Sequence, residues 1–437
     1  MRRTAPAADA ALDPQVLFRR LAGARGIVLA VSGGPDSTAL MLLAARWAAR
    51  PPLLAVSIDH GLRAEAAEET RLVAANADRL GLAWRIMQAP AAGPGNLQDW
   101  ARRARYSCLA NAAEEAGFDT IVTAHHQDDQ AETFLLRMAR GSGVYGLGGM
   151  REETEVEGLR LARPLLDVPG RKLVDLVEGS GLKVAEDLSN RALRFDRVRM
   201  RRLMPALAEH GLTARRLAET AGRLRRAGAA LDHYAKTLLK EHFHADAFGV
   251  VAGPAGVFAD VPEETGLRAL ALVLRAVGGA DYTPPLDRVE ALRGAVLVAG
   301  EGKDFKRTLA GVVISAAAGR LTARREWGRK GLAAVAAPAG STLLWDRRFR
   351  VGVPDLASGA TVAPLGRAER RLRSTAGDRA AIRAMPGLFA GERLVAVPDV
   401  IEATDDGAPL ATLPVRCVVA ARLGLGADPA HLPVRSP

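Results

Sequence analysis

The feature that most constrains this chain is the run GIVLAVSGGPDSTALMLL, Gly26 to Leu43. GIVLAV (Gly26 to Val31) is a short apolar stretch that reads as a buried parallel strand. From Ser37 to Arg50 apolar residues recur all round a helical repeat, the pattern of a helix packed on a sheet. Between them SGGPDS, Ser32 to Ser37, must turn the chain back at once. Strand, glycine-rich turn and helix in immediate succession form the start of a βα unit, and such units build parallel sheets with right-handed crossovers.

The rhythm repeats. LLAVSID (Leu53 to Asp59), Trp84 to Met87 and Thr120 to Ala124 read as further strands, and Glu65 to Leu80, Asn96 to Ala116 and Asp128 to Arg140 as helices between and after them. The fold class expected is therefore α/β, a doubly wound parallel sheet. After Arg163 the alternation stops. Helices are expected at about Thr213 to Phe243, Glu263 to Val277 and Leu286 to Val298. Gly328 to Gly340, rich in Ala, Gly and Pro, reads as a linker, and short strands such as Leu394 to Val397 and Val415 to Ala421 follow it. A chain of 437 residues exceeds one ordinary domain. The expected division is a sheet-and-helix domain over 1–205, a mostly helical domain over 206–327 and a small α+β domain over 340–437.

The turn itself is an anion site in outline. At a helix N-terminus backbone N–H groups point outward and the dipole favours negative charge. Gly33 and Gly34 let the backbone approach a ligand, and Ser32 and Ser37 add hydroxyls. No lysine is present, so this is not the GxxxxGK[ST] loop, and it is not GxGxxG either. An acid, Asp36, sits inside the turn. A carboxylate beside phosphate makes chemical sense with a magnesium ion between them. The plainer alternative is a tight βα turn with no ligand.

Composition narrows the partners. The formal charge is +11, and arginines crowd the segment Arg191 to Arg226, opposed only by Asp196, Glu209 and Glu219. A basic balance of this kind points to nucleic acid, the alternative being a genome biased toward Arg and Ala codons and a solvated amphipathic helix. Cys108 and Cys417 are far apart and no CxxC occurs, which argues against a zinc ribbon or a paired redox site and for a reducing compartment. MRRTAPAADAALDP lacks the apolar core of a signal peptide, and no segment approaches the roughly 20 apolar residues of a membrane span. A cytoplasmic protein without a membrane partner is expected.

Further chemistry-bearing segments follow in order. DHGLR (Asp59 to Arg63) ends the second strand, where a doubly wound sheet places its ligand crevice. In ARRARYSCL (Ala101 to Leu109), Arg102 and Arg105 are spaced to share a helix face. TAHHQDDQAETFLLRMARGSGVYGLGGM (Thr123 to Met150) gathers histidines and acids after the fourth strand, with His126, Asp129 and Glu132 on one face if the helix begins early. RPLL (Arg163 to Leu166) and EDLSN (Glu186 to Asn190) come next. SGGPDS resembles the SGGxDS loop of the N-type ATP pyrophosphatases, the PP-loop superfamily, and the whole set in this order resembles the tRNA(Ile)-lysidine synthase family, densely over Gly26 to Pro205 and loosely beyond.

The resemblance implies ATP and Mg2+ as cofactors, with Ser32, Gly33, Gly34, Pro35, Asp36 and Ser37 at the ATP phosphates. It implies Asp36 and Asp129 as metal ligands, His126 beside them, and Arg102 and Arg105 on phosphate or developing charge. The partners it implies are tRNA(Ile) with a CAU anticodon and free lysine, joined at C2 of the first anticodon cytidine after adenylation of the base oxygen. The arginine-rich segment then reads as a tRNA contact, and a homodimer is among the expected assemblies. Each residue also has a plainer reading. His125 and His126 cannot both face the site, Asp128 could be a helix N-cap, and Glu132 could be a helix-surface partner. One departure from the family pattern stands out: DRVRMRRLMP has Val198 after Arg197 where asparagine is usual. The rival readings are a tRNA thiolase, disfavoured by the missing cysteine pair, an amidotransferase-type ligase, disfavoured because no glutaminase domain is evident, and a non-catalytic tRNA-binding protein, disfavoured by the intact Asp36 and HHQDD.

Overall fold

A computed structural model describes residues 12–59, 61, 66–90, 97–185, 196–280, 283–329, 331–355, 359–366, 368, 372–373, 379–403 and 410–425. The chain divides into two compact units, Met1–Gly228 and Ala229–Pro437.

The first unit opens with a short helix, α1 (Pro14–Leu17), and then follows the βα rhythm: β1 (Ile27–Ala30), α2 (Pro35–Arg46), β2 (Leu53–Asp59), α3 (Ala66–Arg79), β3 (Ala83–Gln88), α4 (Leu97–Ala116), β4 (Thr120–Val122) and α5 (Gln127–Met138). A short helix α6 (Val144–Leu147), the strands β5 (Glu153–Val156) and β6 (Leu159–Ala162) and the helix α7 (Gly170–Glu178) come next. The sheet order is β3-β2-β1-β4-β6-β5. Every pairing is parallel except β5 with β6. Ile27, Val28 and Leu29 of β1 are at most 1% exposed, as a strand covered on both faces must be. One face carries the core of Leu40, Leu43, Trp47, Val73, Leu165 and Leu173. The other packs Tyr106, Leu109, Ala112 and Ala113 of α4 against Val28, Val56 and Ile121. The sheet is thus doubly wound, with two strands beyond the four expected, the parallel β6 and the antiparallel edge β5.

That edge is a hairpin turning at Glu157 (φ 48°) and Gly158 (φ 78°), both left-handed, as a two-residue turn between twisted strands requires. Strand β1 lies between β2 and β4, so the chain reverses its direction of travel across the sheet there. A crevice opens at such a switch point, outside the carboxyl ends of the two strands. Beyond the sheet lie α8 (Asp196–Glu209) and α9 (Ala214–His242).

The second unit pairs β7 (His244–Ala245) and β8 (Val251–Pro254), the helices α10 (Glu263–Gly278) and α11 (Leu286–Gly300), and the meander β9 (Phe305–Leu309), β10 (Val312–Ala317) and β11 (Arg320–Arg325). The five strands form one antiparallel sheet, β7-β8-β11-β10-β9. Leu270, Val273, Leu292, Val296, Ile314 and Leu321 close the core between sheet and helices. The remainder is small and strand-rich: β12 (Val335–Ala337), β13 (Thr342–Trp345), β14 (Phe349–Gly352), β15 (Ala360–Pro364), β16 (Leu372–Arg373), α12 (Arg379–Arg383), β17 (Pro386–Ala390), β18 (Arg393–Pro398), β19 (Glu402–Ala403), β20 (Ala411–Leu413), β21 (Val415–Cys417) and α13 (Val419–Leu423).

One expectation needs correction. The apolar run Val415 to Ala421 is a strand only to Cys417, and its remainder is α13. Val419 and Leu423, four residues apart, are both buried in the helix-covered core, and Gly424 ends the turn at φ 71°. Burial on a helical spacing won over strand propensity there. Among the described residues no helix is long and apolar enough to cross a membrane.

Candidate active site

The turn after β1 is braced from within. Ser37 Oγ accepts from the Ser32 N–H at 3.1 Å and donates to Gly34 O at 3.0 Å, and Ser32 Oγ lies 3.2 Å away. The Ser37 hydroxyl is therefore engaged in holding the loop, whereas Ser32 is exposed. Gly33 sits at φ +86°, in the left-handed region that glycine enters freely. Gly34 is the N-cap of α2 and Pro35 its first residue, with no side chain capping the end. The orphan N–H groups of that first turn face outward, where an anion can take them up.

The turn after β4 faces this loop. His126 is the N-cap of α5: Asp129 accepts from the His126 N–H at 3.0 Å, and the ring Nδ1 lies 3.2 Å from the Asp128 backbone nitrogen. The reading of Asp128 as the N-cap is thereby corrected. The capping geometry aims the far side of the ring at the β1 turn: Nε2 lies 3.4 Å from Asp36 Oδ2 and 3.6 Å from Asp129 Oδ2. On the other side Nδ1 lies 3.3 Å from Asp128 Oδ2. Burial opposes charge on His126, but the carboxylates of Asp128, Asp36 and Asp129 outweigh it and raise its pKa to about 10. His125 Nδ1 lies 2.8 Å from Thr123 Oγ1. Burial depresses its pKa to about 4, with Arg163, Arg197 and Arg105 adding like charge against the pull of Asp129. Of the two histidines, His126 is the one that lies against both Asp36 and Asp129.

Asp36 and Asp129 thus meet across one imidazole edge. Among the described residues no group of three or more His, Cys, Asp or Glu could hold a metal by itself. Two carboxylates beside an uncapped helix N-terminus fit magnesium, which takes one or two protein carboxylates and completes its shell from phosphate and water.

Positive charge collects on the same side. Arg105 keeps solvent contact, yet protein crowds it enough that desolvation lowers its pKa, with Arg102 and Arg197 adding to the effect against Tyr106. Arg102 stacks over the Tyr106 ring at 5.0 Å. Arg163 of RPLL is buried, donates to Arg151 O at 2.9 Å and has its pKa lowered by desolvation. Glu132, on α5, is 2% exposed; its Oε1 accepts from Arg201 Nε at 2.7 Å and its Oε2 has no hydrogen-bond partner. Its pKa is raised because burial outweighs Arg201. The helical spacing Asp129–Glu132 hinted at this site, but only the arrival of α8 shows Glu132 to be a buried acid.

The arginine-rich segment sorts into two kinds. Arg199 bonds Asp196, Arg201 bonds Glu132, Arg215 bonds Glu219, Arg216 bonds Gly211 O and Arg225 bonds Gly148 O and Met150 O. These are structural. Arg202, Arg223 and Arg226 are exposed, with no hydrogen-bond or ion-pair partner among the described residues. In DHGLR, Asp59 accepts from the Gly61 N–H at 2.8 Å and from Gln88 Nε2 at 3.2 Å, a turn-building role. His60, Leu62, Arg63, the EDLSN segment (Glu186 to Asn190), Arg191 and Arg194 lie outside the described residues.

The sequence also matches known proteins. The PP-loop domain family matches residues 9–207. The chain is 44% identical over 355 residues to a tRNA(Ile)-lysidine synthase of Bradyrhizobium diazoefficiens, covering 74% of this chain and 97% of that protein. It is 46% identical over 322 residues to one from a Methylobacterium species, covering 71% and 94%. It is 38% identical over 383 residues to one from Ruegeria pomeroyi, covering 86% and 88%.

Proposed function

This chain belongs to the tRNA(Ile)-lysidine synthase family of ATP-dependent ligases, which form lysidine in tRNA(Ile), and on that premise we propose how its residues carry the reaction. The substrates are ATP, free lysine and a tRNA(Ile) whose anticodon is CAU. The observation that carries the reading is the meeting of Asp36, inside the phosphate loop, with His126 and Asp129 from the neighbouring turn, at 3.4 and 3.6 Å from one ring nitrogen.

A ring carbonyl oxygen is a poor leaving group. Attack of the cytidine O2 on the α-phosphorus of ATP breaks the bond to the β-phosphate, releases pyrophosphate and leaves AMP on the oxygen. The lysine amine then attacks C2, and AMP departs with that oxygen. Residues Ser32 to Ser37 hold the ATP phosphates through the open N-terminus of α2. Asp36 and Asp129 would hold Mg2+, which supplies neutralising charge at the phosphates when bound. Arg102 and Arg105 complement the phosphate charge from α4. An amine attacks only when neutral, and a free lysine side chain titrates near about 10.4, so the pocket must desolvate it or take its proton. The buried, unpartnered oxygen of Glu132 is an acceptor suited to an ammonium end of that substrate. The cytidine leaves its stack in a loop, at less cost than opening a duplex. The exposed Arg202, Arg223 and Arg226 contact the tRNA backbone.

The test is transfer of labelled lysine to CAU-anticodon tRNA(Ile), with tRNA(Met) as control. Label on the isoleucine tRNA, lost with Asp36→Ala and Asp129→Ala, is the expected result. Unchanged transfer in those variants overturns the assigned roles.

A further inference from the structure

We propose that Asp128 is a positioning residue, clamped by the N-terminus of α7 so that it fixes the ring of His126 toward Asp36 and Asp129. The inference rests on the reading above that places the His126 ring between Asp36 and Asp129 at the reacting site.

The Asp128 side chain has no capping duty toward α5, because His126 is the N-cap and its N–H bonds Asp129. Its carboxylate instead reaches across to another helix. The Gly170 N–H, at the first position of α7, donates to Asp128 Oδ2 at 2.7 Å. That helix end has no side-chain cap from its own N-cap, Pro169. Asp128 therefore satisfies an orphan donor and meets the favourable end of the dipole. The same Oδ2 lies 3.3 Å from His126 Nδ1, and the Asp128 N–H lies 3.2 Å from that nitrogen, so residue 128 meets this ring edge twice.

Close approach makes the clamp tight. A Cβ on residue 170 would stand 2.8 Å from Asp128 Oδ2 and 2.8 Å from His126 Cε1, so glycine lets the helix end touch both. One residue away the Gln127 N–H donates to Val168 O at 2.9 Å, closing the two segments against each other. Leu165, Val168, Leu173 and Val177 of the clamping segment are buried in one cluster with Leu40, Met41 and Leu43 of α2. The helix that presents Asp36 and the helix end that orients His126 are thus built on a common core. Outer partners of this kind set the orientation and tautomer of an imidazole; where the imidazole binds a metal, their loss costs about 10- to 100-fold in affinity or activity.

A double-mutant cycle on lysine transfer tests this, run beside thermal unfolding to show that each variant is folded. Asp128→Ala should lower kcat about 10- to 100-fold with KM for ATP and tRNA unchanged. Asp128→Asn, which keeps an oxygen for the Gly170 N–H, should lie closer to wild type. In a His126→Ala background, Asp128→Ala should add nothing, since it acts only through that ring. An equal loss in both backgrounds, or a raised KM for ATP with Asn as damaging as Ala, overturns the proposal. A second readout is independent of turnover: the His126 Cε1–H resonance in histidine-labelled protein should move with Asp128→Ala and with Gly170→Ala. An unmoved resonance overturns the proposal. Full activity of His126→Ala alone would instead refute the catalytic use of that histidine, and the resonance would still report whether Asp128 positions it.

Discussion

Arg201 Nε donates to Glu132 Oε1 at 2.7 Å, and the pair is lopsided: the arginine side chain is 53% exposed, the glutamate 2%. The bond ties α8 to α5, and removing the arginine would leave a carboxylate in the interior with neither oxygen paired. Arg201→Ala should therefore lower stability by about 1–3 kcal/mol, the cost of an unsatisfied buried acceptor. The half-exposed arginine keeps the figure below that of a fully buried pair. Urea unfolding reads it directly, and an unchanged midpoint would show that Glu132 finds water or takes up a proton at no cost.

Gly33 offers a second test. Its φ of +86° is backbone strain for any other residue, yet a Cβ added there would meet nothing closer than Ala185 Cβ at 3.4 Å, so the obstacle is conformational and not packing. Gly33→Ala should cost about 1–2 kcal/mol. If that strain falls on the ligand-bound loop, ATP binding weakens about tenfold. Equilibrium nucleotide binding, compared with the shift in Tm, tells which state bears it.

The two kinds of arginine should separate experimentally. Arg202→Ala, Arg223→Ala or Arg226→Ala should each weaken tRNA binding and reduce the slope of log K against log salt by about one. Arg225→Ala removes bonds to Gly148 O and Met150 O and should lower Tm instead. Filter binding across a salt series distinguishes the groups, and equal slopes for all four would abolish the distinction.

A pH dependence follows from Cys417. Burial raises its thiol pKa to about 11 from 9.0, against the opposing pull of Arg348. A raised pKa means the folded state holds the proton more tightly, so this stabilisation is present below about pH 9 and disappears as pH climbs to about 11. Two units correspond to about 2–3 kcal/mol. Cys417→Ala should flatten the alkaline fall of Tm between those limits relative to wild type. Parallel curves would mean that the thiol titrates alike folded and unfolded.

Much of the architecture is legible in the chain because its signals are local. The apolar run before SGGPDS, the helical repeat after it and the recurrence of both through Thr120 need only neighbours in sequence to be read. The acids Asp36 and Asp129 and the glycine turn are visible in the same way. The β5–β6 hairpin escaped that reading because its edge strand, ETEV, is charged and only partly buried, so no alternation betrays it. Val415 to Ala421 misled because a β-branched run says nothing of which core it meets.

What no local pattern contains is who meets whom. His126 and Asp36 are far apart in the chain and adjacent in space because β1 pairs with β4, and strand order is a property of the whole sheet. The same holds for Gly170 on Asp128 and for Arg201 on Glu132, whose partners arrive on helices that follow later in the chain. Sequence determined the elements and the chemical groups they carry. Tertiary structure decided the contacts that orient His126, the burial of Glu132 and which arginines stay exposed, since each depends on desolvation and distance, which only packing creates.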